Sequence, residues 1–292
     1  MPAKPRPIDH LVLAVRDLDA AREAYRRLGF TLTPPARHPF GTANSLALMA
    51  GSYLELLAVA DPAAIPEPTA TRFSFGAFNR EYLTAREGLS MIALRSDDAA
   101  ADRADFDKRN LPVYEPVRFG RMAKGPDDVE REVEFSVTFT SDARTHGAAG
   151  FFTCQQHKPE NLWRPEYQRH ANGALRVDSA VFVTRDPADF HEFLTHFTGQ
   201  HDMLSTSLHV KFDLGRSSLD VLSPVGFRAF FGEDAGPDPR RFTGYRIAVA
   251  DLAATRRLLA TNGVPFRELS GALIVPSDFA HGAAVGFVAA RL

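Results

Sequence analysis

The segment IDHLVLAVRD, residues 8–17, decides the fold, because its pattern returns three more times along the chain. Each copy is a short apolar stretch that reads as a strand, ends at an Asp and is followed by an amphipathic helical sequence. The later copies are LSMIALRSD (89–97), VDSAVFVTRD (177–186) and TGYRIAVAD (243–251). Repetition of this kind indicates that four copies of one supersecondary unit build the chain.

The helical sequence of each copy ends at a residue that favours a helix stop. We expect these stops at Gly29, Asn110, Gly199 and Gly263, because glycine and asparagine tolerate the left-handed conformation found after helices. Three further strand-like segments follow each helix. In the first copy they are residues 30–33, 45–49 and 53–59, and in the last copy 266–269, 272–275 and 284–289. The repeated unit is therefore β-α-β-β-β.

One such unit leaves a face of its sheet uncovered, so two units must pair to bury it. Units one and two are expected to form an N-terminal domain, residues 1–157, and units three and four a C-terminal domain, residues 174–292. Residues 158–173 are polar and contain Pro159, Pro165 and Gly173, which is typical of a linker.

The composition excludes several classes of protein. The chain has 292 residues, 45% hydrophobic content and a net charge of −2, which gives no electrostatic reason to expect a nucleic acid or membrane partner. No apolar run reaches the length of a membrane span, and the N-terminus has no signal-peptide core. Cys154 is the only cysteine, so we expect a buried apolar role for it, no disulfide and a cytoplasmic location.

The chain resembles the vicinal oxygen chelate (VOC) superfamily, and in particular its glyoxalase-like members. The residues that carry the resemblance are 8–30, 51–59 (GSYLELLAV) and 275–288 (VPSDFAHGAAVGFV). The resemblance implies an α+β fold in which four βαβββ modules pair into two glyoxalase-like domains, each with mixed sheets curled around a cavity. In metal-dependent members the first and last strands of the units supply a divalent-metal site, and in others the cavity binds only a ligand.

Carried over one residue at a time, the metal pattern of the family is incomplete. His10 matches the first-strand histidine and Glu55 the last-strand carboxylate, a pair that suits Fe, Mn, Zn or Ni. Glu55 is also a candidate catalytic base. In unit two, Ser90 replaces the second histidine, and Phe151 falls near the second carboxylate position.

Because metal sites of this type usually have three protein ligands, a third ligand must come from outside the pattern. His157 is the first candidate, since it lies six residues after Phe151 and would share a strand face with it. His38 and His146 lie on turns that could reach the cavity mouth. We expect Ser90, Thr153, Gln155 and His38 to line the substrate pocket.

The C-terminal pair of units departs further from the family pattern. Its four equivalent positions are Ser179, Asp220, Gly244 and Gly286, of which only Asp220 can bind a metal. One carboxylate holds a divalent ion too weakly for a stable site, so we expect no metal in this domain.

Two functions remain open at the level of sequence. The first is a metal-dependent lyase, isomerase or dioxygenase that acts on a small vicinal-oxygen substrate in the N-terminal cavity. The second is a metal-free, small-molecule binding protein of the drug-sequestering (bleomycin-resistance) type, in which some of the 23 phenylalanines would stack on a flat ligand. Either protein could form a homodimer.

Overall fold

The computed structural model describes residues 5–206, 208–236 and 239–290. Its helices are α1 (Leu18–Arg27), α2 (Phe75–Ala85), α3 (Ala99–Lys108), α4 (Pro159–Leu162), α5 (His191–Thr198), α6 (Pro224–Phe231) and α7 (Leu252–Thr261). None of the helices in these ranges combines the length and the apolar composition needed to cross a membrane.

The strands form two sheets of eight. The first contains β1 (Ile8–Ala14), β2 (Ala36–Arg37), β3 (Thr42–Met49), β4 (Ser52–Val59), β5 (Gly88–Arg95), β6 (Val117–Lys124), β7 (Glu130–Thr140) and β8 (Gly150–Gln156). The second contains β9 (Ala174–Val183), β10 (Met203–Ser205), β11 (His209–Asp213), β12 (Ser218–Leu222), β13 (Arg241–Val249), β14 (Arg267–Leu269), β15 (Ala272–Val275) and β16 (Ala284–Ala289).

The two sheets have the same topology, which confirms the α+β fold of four paired units. Their strand orders are β2-β3-β4-β1-β5-β8-β7-β6 and β10-β11-β12-β9-β13-β16-β15-β14. The first strand of each unit pairs in parallel with the last strand of its own unit, and the first strands of two units pair antiparallel at the centre of the sheet. Edge strands β2 and β6 approach each other, so the N-terminal sheet curls around an interior.

The helices that follow the first strand of each unit, α1, α3, α5 and α7, end within two residues of the predicted stops, and Gly29 and Asn110 adopt the left-handed conformation. Two details differ from the sequence prediction. The strand predicted at residues 30–33 does not form, because the amides of Phe30 and Thr31 bond to Tyr25 and His170 outside the sheet; the short β2 follows instead. The N-cap of α3 is Asp98 and not Asp97; the Asp98 carboxylate accepts hydrogen bonds from the amides of Ala100 and Ala101.

A single hydrophobic core joins the outer faces of the two sheets. Phe151 of β8 lies at its centre and packs against four aromatic side chains of the C-terminal half: Phe182, Phe193, Phe197 and Phe242. The hydroxyl groups of Tyr25 and Tyr245 meet at 2.7 Å across the same core. Burial raises the pKa of Tyr25 far above its usual value, so this hydroxyl stays protonated.

The segment between the sheets contains α4 and packs on the N-terminal sheet. Trp163 contacts Tyr53 with ring centroids 5.8 Å apart, and His170 binds backbone atoms of Thr31 and Leu48. We propose residues 158–173 as the linker between the two domains, held by these contacts.

Candidate functional site

The curled N-terminal sheet encloses a cavity of about 160 Å³. Because side chains alternate along a strand, β1 and β4 present His10, Tyr53 and Glu55 to this interior, and their neighbours Leu11 and Leu54 to the core between the sheets. The rest of the wall is largely aromatic: Phe40, Phe73, Phe75, Phe119, Phe135, Phe139 and Phe152. The polar side chains of His10, His38 and Glu55 therefore share a mostly aromatic cavity, to whose wall Arg72 and Ser74 also contribute.

His10 is held in one orientation by the preceding residue. Strand β1 is irregular between Ile8 and His10 where it pairs with β5, and the Asp9 carboxylate accepts a hydrogen bond of 2.8 Å from His10 Nδ1. Since a carboxylate can only accept, Nδ1 carries the proton, and Nε2 points towards Glu55 Oε2 at 3.8 Å. The ring also stacks on Tyr53 with a centroid distance of 4.4 Å.

Asp9 in turn is anchored by a buried polar network. Its other oxygen accepts a hydrogen bond of 2.9 Å from Gln156 Nε2, and Gln156 Oε1 accepts one of 2.7 Å from Trp163 Nε1. Asp9 is completely buried. Hydrogen bonds of this kind behind a histidine fix its ring orientation and raise its basicity as a ligand.

Glu55 and His38 are positioned in the same way. Glu55 is 5% exposed, and its Oε1 accepts a hydrogen bond of 2.6 Å from Asn44 Nδ2. His38 Nδ1 lies 2.8 Å from the Thr42 hydroxyl, and its Nε2 lies 3.3 Å from Asn44 Nδ2 and 3.7 Å from Glu55 Oε1. Because Asn44 Nδ2 can only donate, Nε2 of His38 is the unprotonated nitrogen.

Burial is the main cause that holds the pKa of His38 well below its usual 6.5, and the nearby charges of Arg121 and His10 act in the same direction. His38 is therefore neutral near pH 7, and the lone pair of its Nε2 accepts the hydrogen bond from Asn44. Arg121 is itself buried beside Glu55. Its pKa is lowered by that burial, and the attraction of Glu55 and Tyr53 acts against the shift.

The donor types at this end of the cavity suit a divalent metal. The Nε2 atoms of His10 and His38 lie 3.8 Å and 3.7 Å from different oxygens of the Glu55 carboxylate. Two histidines and one carboxylate are the ligand types of non-haem iron sites and of catalytic zinc sites. Asp9, His10 and Cys154 form a more compact group, with ligand atoms within 4.8 Å of one another. Burial raises the pKa of the Cys154 thiol, which disfavours the thiolate form that binds metals, and Asp9 already accepts a hydrogen bond from Gln156. We therefore assign Asp9 to the support of His10 and not to the metal site.

Four of the residues expected at the site lie outside the cavity. His157 Nε2 lies 2.8 Å from the Ser136 hydroxyl, just beyond the end of β8. The buried Thr153 is absent from the cavity wall, and Gln155 binds backbone atoms at the start of α3. Ser90 donates a hydrogen bond of 2.7 Å to Asn79 Oδ1, at an irregularity in the pairing of β1 with β5. The other third-ligand candidate, His146, lies on an exposed turn near Arg240.

The register of unit two explains these displacements. The sequence alignment equates Asp97 with Asp17, but Asp98 is the residue that caps α3. The shift of one residue exchanges the two faces of the strands. Met91, Phe152 and Cys154 consequently face the interior of the N-terminal sheet, whereas Phe151 faces the core between the domains.

Several residues of the site carry no signal in the sequence pattern. Asn44 and Arg121 reach the site only because β3 and β6 curl around it, and neither belongs to the repeated positions. Asp9 directly precedes His10 in the sequence, but its hydrogen bond to the His10 ring occurs where the pairing of β1 is irregular.

The C-terminal cavity has no comparable donor set among the residues described. Asp220 is 4% exposed, and its carboxylate is engaged by Arg246 Nη1 at 3.0 Å and by the Ser218 hydroxyl at 2.9 Å. His209 Nε2 lies 3.4 Å from the same carboxylate. A guanidinium thus neutralises Asp220, the carboxylate at the position equivalent to Glu55.

Comparison with solved structures gives the same architecture at low sequence identity. A hypothetical protein from Staphylococcus aureus superposes with a TM-score of 0.67 at 13% identity, over 96% of this chain and 98% of that one. A mutant of 4-hydroxymandelate synthase from Streptomyces coelicolor gives a TM-score of 0.58 at 11% identity, over 98% and 92% of the two chains. For 2,2',3-trihydroxybiphenyl 1,2-dioxygenase from Sphingomonas wittichii strain RW1 the TM-score is 0.53 at 13% identity, over 97% and 90%.

No curated protein matches the chain significantly. The model of the glyoxalase-like domain family matches residues 8–198, which is more than half of the chain and includes every residue of the N-terminal cavity. Together with the paired βαβββ units, this match shows that the chain belongs to the glyoxalase-like domain family of the VOC superfamily.

Proposed function

We propose that the N-terminal cavity binds a divalent metal ion through His10, His38 and Glu55, and that the protein is a metal-dependent lyase, isomerase or dioxygenase. The observation that carries the proposal is that both histidines lie within 4 Å of the Glu55 carboxylate, with the three side chains held by Asp9, Thr42 and Asn44. His38 would be the third ligand, which the family pattern did not supply.

The cavity suggests the class of substrate. About 160 Å³ is small compared with the roughly 300–1,000 Å³ of typical ligand pockets, and the wall is mostly phenylalanine. A small aromatic or apolar molecule with two adjacent oxygens would stack on the rings and present its oxygens to the polar end. The neighbour that is named as a dioxygenase of a trihydroxybiphenyl is consistent with such a substrate.

A bound metal would act as a Lewis acid on the substrate oxygens. The residues of the chain supply the remaining functions. Asp9 holds His10 in the tautomer that leaves Nε2 free, and Asn44 orients the Glu55 carboxylate, which is the candidate base for a substrate proton. The phenylalanine wall excludes water and strengthens the electrostatic interactions inside the cavity.

Metal analysis tests the proposal directly. Protein stripped with a chelator and then titrated separately with Fe(II), Mn(II), Zn(II) and Ni(II) should bind one equivalent, and His10→Ala and His38→Ala should each abolish tight binding. His157→Ala is the matched control and should bind normally. Normal binding by His38→Ala together with loss in His157→Ala would move the third ligand back to His157. Unchanged binding by His10→Ala would refute the site.

One observation favours a second function, the metal-free binding of a flat ligand. Arg121 lies close enough to attract Glu55, so the carboxylate has a counter-charge without a metal. In that case an aromatic ligand should quench or shift the fluorescence of Trp163 equally with and without chelator. Ligand binding that requires the metal would exclude this alternative.

A further inference from the structure

A second pocket, which we call the junction pocket, lies where the two domains meet. It has a volume of about 340 Å³ and is lined by Arg16, Arg86 and Glu87 of the N-terminal half and by Arg241 and His281 of the C-terminal half, among others. The two backbones touch at its edge: a Cβ atom on Gly282 would lie 2.2 Å from the carbonyl oxygen of Glu87. A ligand in this pocket would therefore contact both domains at once.

One arginine and the principal carboxylate of the pocket already have partners. Glu87 Oε1 accepts a hydrogen bond of 2.6 Å from the amide of Arg16, and Glu87 Oε2 lies 3.4 Å from His281 Nδ1. The guanidinium of Arg16 donates to the carbonyl oxygen of Leu83 near the end of α2. The remaining carboxylate, of Asp278, is exposed and caps the amide of Phe279.

Two arginines of the pocket have no such partner. The guanidinium groups of Arg86 and Arg241 lack a hydrogen-bond acceptor within the described part of the chain, although Arg86 lies over the ring of Tyr82 at 5.7 Å. Arg241 is half-buried at the start of β13. Its burial lowers its pKa; Tyr82 acts against that shift and the charge of Arg86 adds to it.

Two neighbouring guanidinium groups that lack an acceptor favour the binding of an anion. A partly buried guanidinium that lacks an acceptor costs free energy, and a second like charge nearby adds to that cost. The pocket contains three arginines and two carboxylates, so its charge is positive even with His281 neutral. Arginine presents a planar set of donors that matches the geometry of carboxylate and phosphate groups.

We infer that the junction pocket binds a small oxyanion, a phosphate or carboxylate group, between the guanidinium groups of Arg86 and Arg241. Arg86 follows α2 in the N-terminal domain and Arg241 begins β13 in the C-terminal domain, so the bound anion bridges the domains and stabilises their contact. The junction pocket and the N-terminal cavity share no lining residue, and the occupancy of the junction pocket does not depend on the metal function proposed above.

Calorimetric titration of the whole chain tests the inference, with sodium phosphate and sodium acetate as probes at constant ionic strength held with sodium chloride. We expect saturable binding of one equivalent of at least one probe. Arg86→Gln and Arg241→Gln should each weaken it by about tenfold or more, the loss expected for a charge-assisted hydrogen bond. Binding of phosphate alone would assign a phosphate group, and binding of both probes a general oxyanion site.

Two controls separate this site from non-specific charge effects and from the metal site. Arg257→Gln removes the same charge from an exposed position of α7 and should leave binding unchanged, and so should His10→Ala. The bound anion should also raise the thermal midpoint of the wild-type chain but not that of the two pocket variants. The absence of saturable binding for both probes, or equal binding by Arg86→Gln, Arg241→Gln and the wild type, would overturn the inference.

Discussion

The hydrogen bond between His10 and Asp9 determines which imidazole nitrogen faces Glu55. In Asp9→Asn, the amide can donate as well as accept, and the preference for the tautomer with a free Nε2 is weakened. We expect metal affinity to fall by about 10–100-fold while the fold is retained. Metal titration followed by circular dichroism would measure both effects.

Asp19→Asn is the matched control, because Asp19 lies exposed in the first turn of α1 and far from the cavity. It should bind metal like the wild type. Equal affinity of Asp9→Asn and Asp19→Asn would show that Asp9 does not position His10.

At the equivalent position of the C-terminal domain, Asp220 has a different role. Its carboxylate neutralises Arg246, so Asp220→Asn should leave metal content and activity nearly unchanged but reduce stability by about 1–3 kcal/mol. Urea unfolding and elemental analysis of one preparation would test both parts. Loss of metal in Asp220→Asn, together with its retention in His10→Ala, would place the functional site in the other domain.

Among the elements, the segment between the two sheets makes the free energy of unfolding depend on pH through His170. His170 Nδ1 accepts a hydrogen bond from the amide of Thr31, and Nε2 donates to the carbonyl oxygen of Leu48, so both nitrogens are used by the neutral ring. Burial lowers its pKa below 6.5, and the bond to Leu48 acts against that shift. As pH falls below about 6.5, the unfolded chain binds a proton that the folded chain does not, and the free energy of unfolding decreases.

Urea titrations at about pH 8 and about pH 5.5 measure this dependence, since the two values lie on either side of the unfolded pKa. The loss of stability on acidification should be smaller in His170→Asn than in the wild type, because the variant has no titrating group there. His201→Asn, at an exposed position, should behave like the wild type. An identical pH dependence in His170→Asn and wild type would contradict this account.

The elements also show how far a repeated pattern can predict structure. The Asp and glycine signals located the four repeated helices because capping depends on neighbouring residues only. They failed by one residue in unit two, where Asp97 and Asp98 are both able to cap. Because strand faces alternate with every residue, that single shift removed Thr153 from the predicted pocket and placed Phe152 and Cys154 there.

For the whole molecule, the shared aromatic core should make the two domains unfold together. Phe151→Ala removes the ring that contacts Phe182, Phe193 and Phe242, and we expect a loss of about 3–5 kcal/mol. The fluorescence of Trp163 reports on the N-terminal half, and circular dichroism reports on both halves. In the wild type the two signals should change in a single transition.

The control for this truncation is Val225→Ala, at a side chain that is 67% exposed, and it should change stability little. Separate transitions in the wild type, or a loss in Phe151→Ala no larger than in Val225→Ala, would show that the domains are energetically independent.

The repeated βαβββ unit and the pairing of the units could be predicted from the sequence, because strand alternation and helix capping are local properties. The family resemblance pointed to His10 and Glu55 as candidate site residues. The choice of His38 as third candidate ligand, the contacts of Asp9 and Asn44 with the site residues, and the meeting of Arg86 and Arg241 in one pocket became visible only in the folded chain. These contacts join residues that are separated by a turn, a bulge or a whole domain. Their positions follow from how the sheet curls and how the two sheets pack, and no periodicity along the chain encodes either.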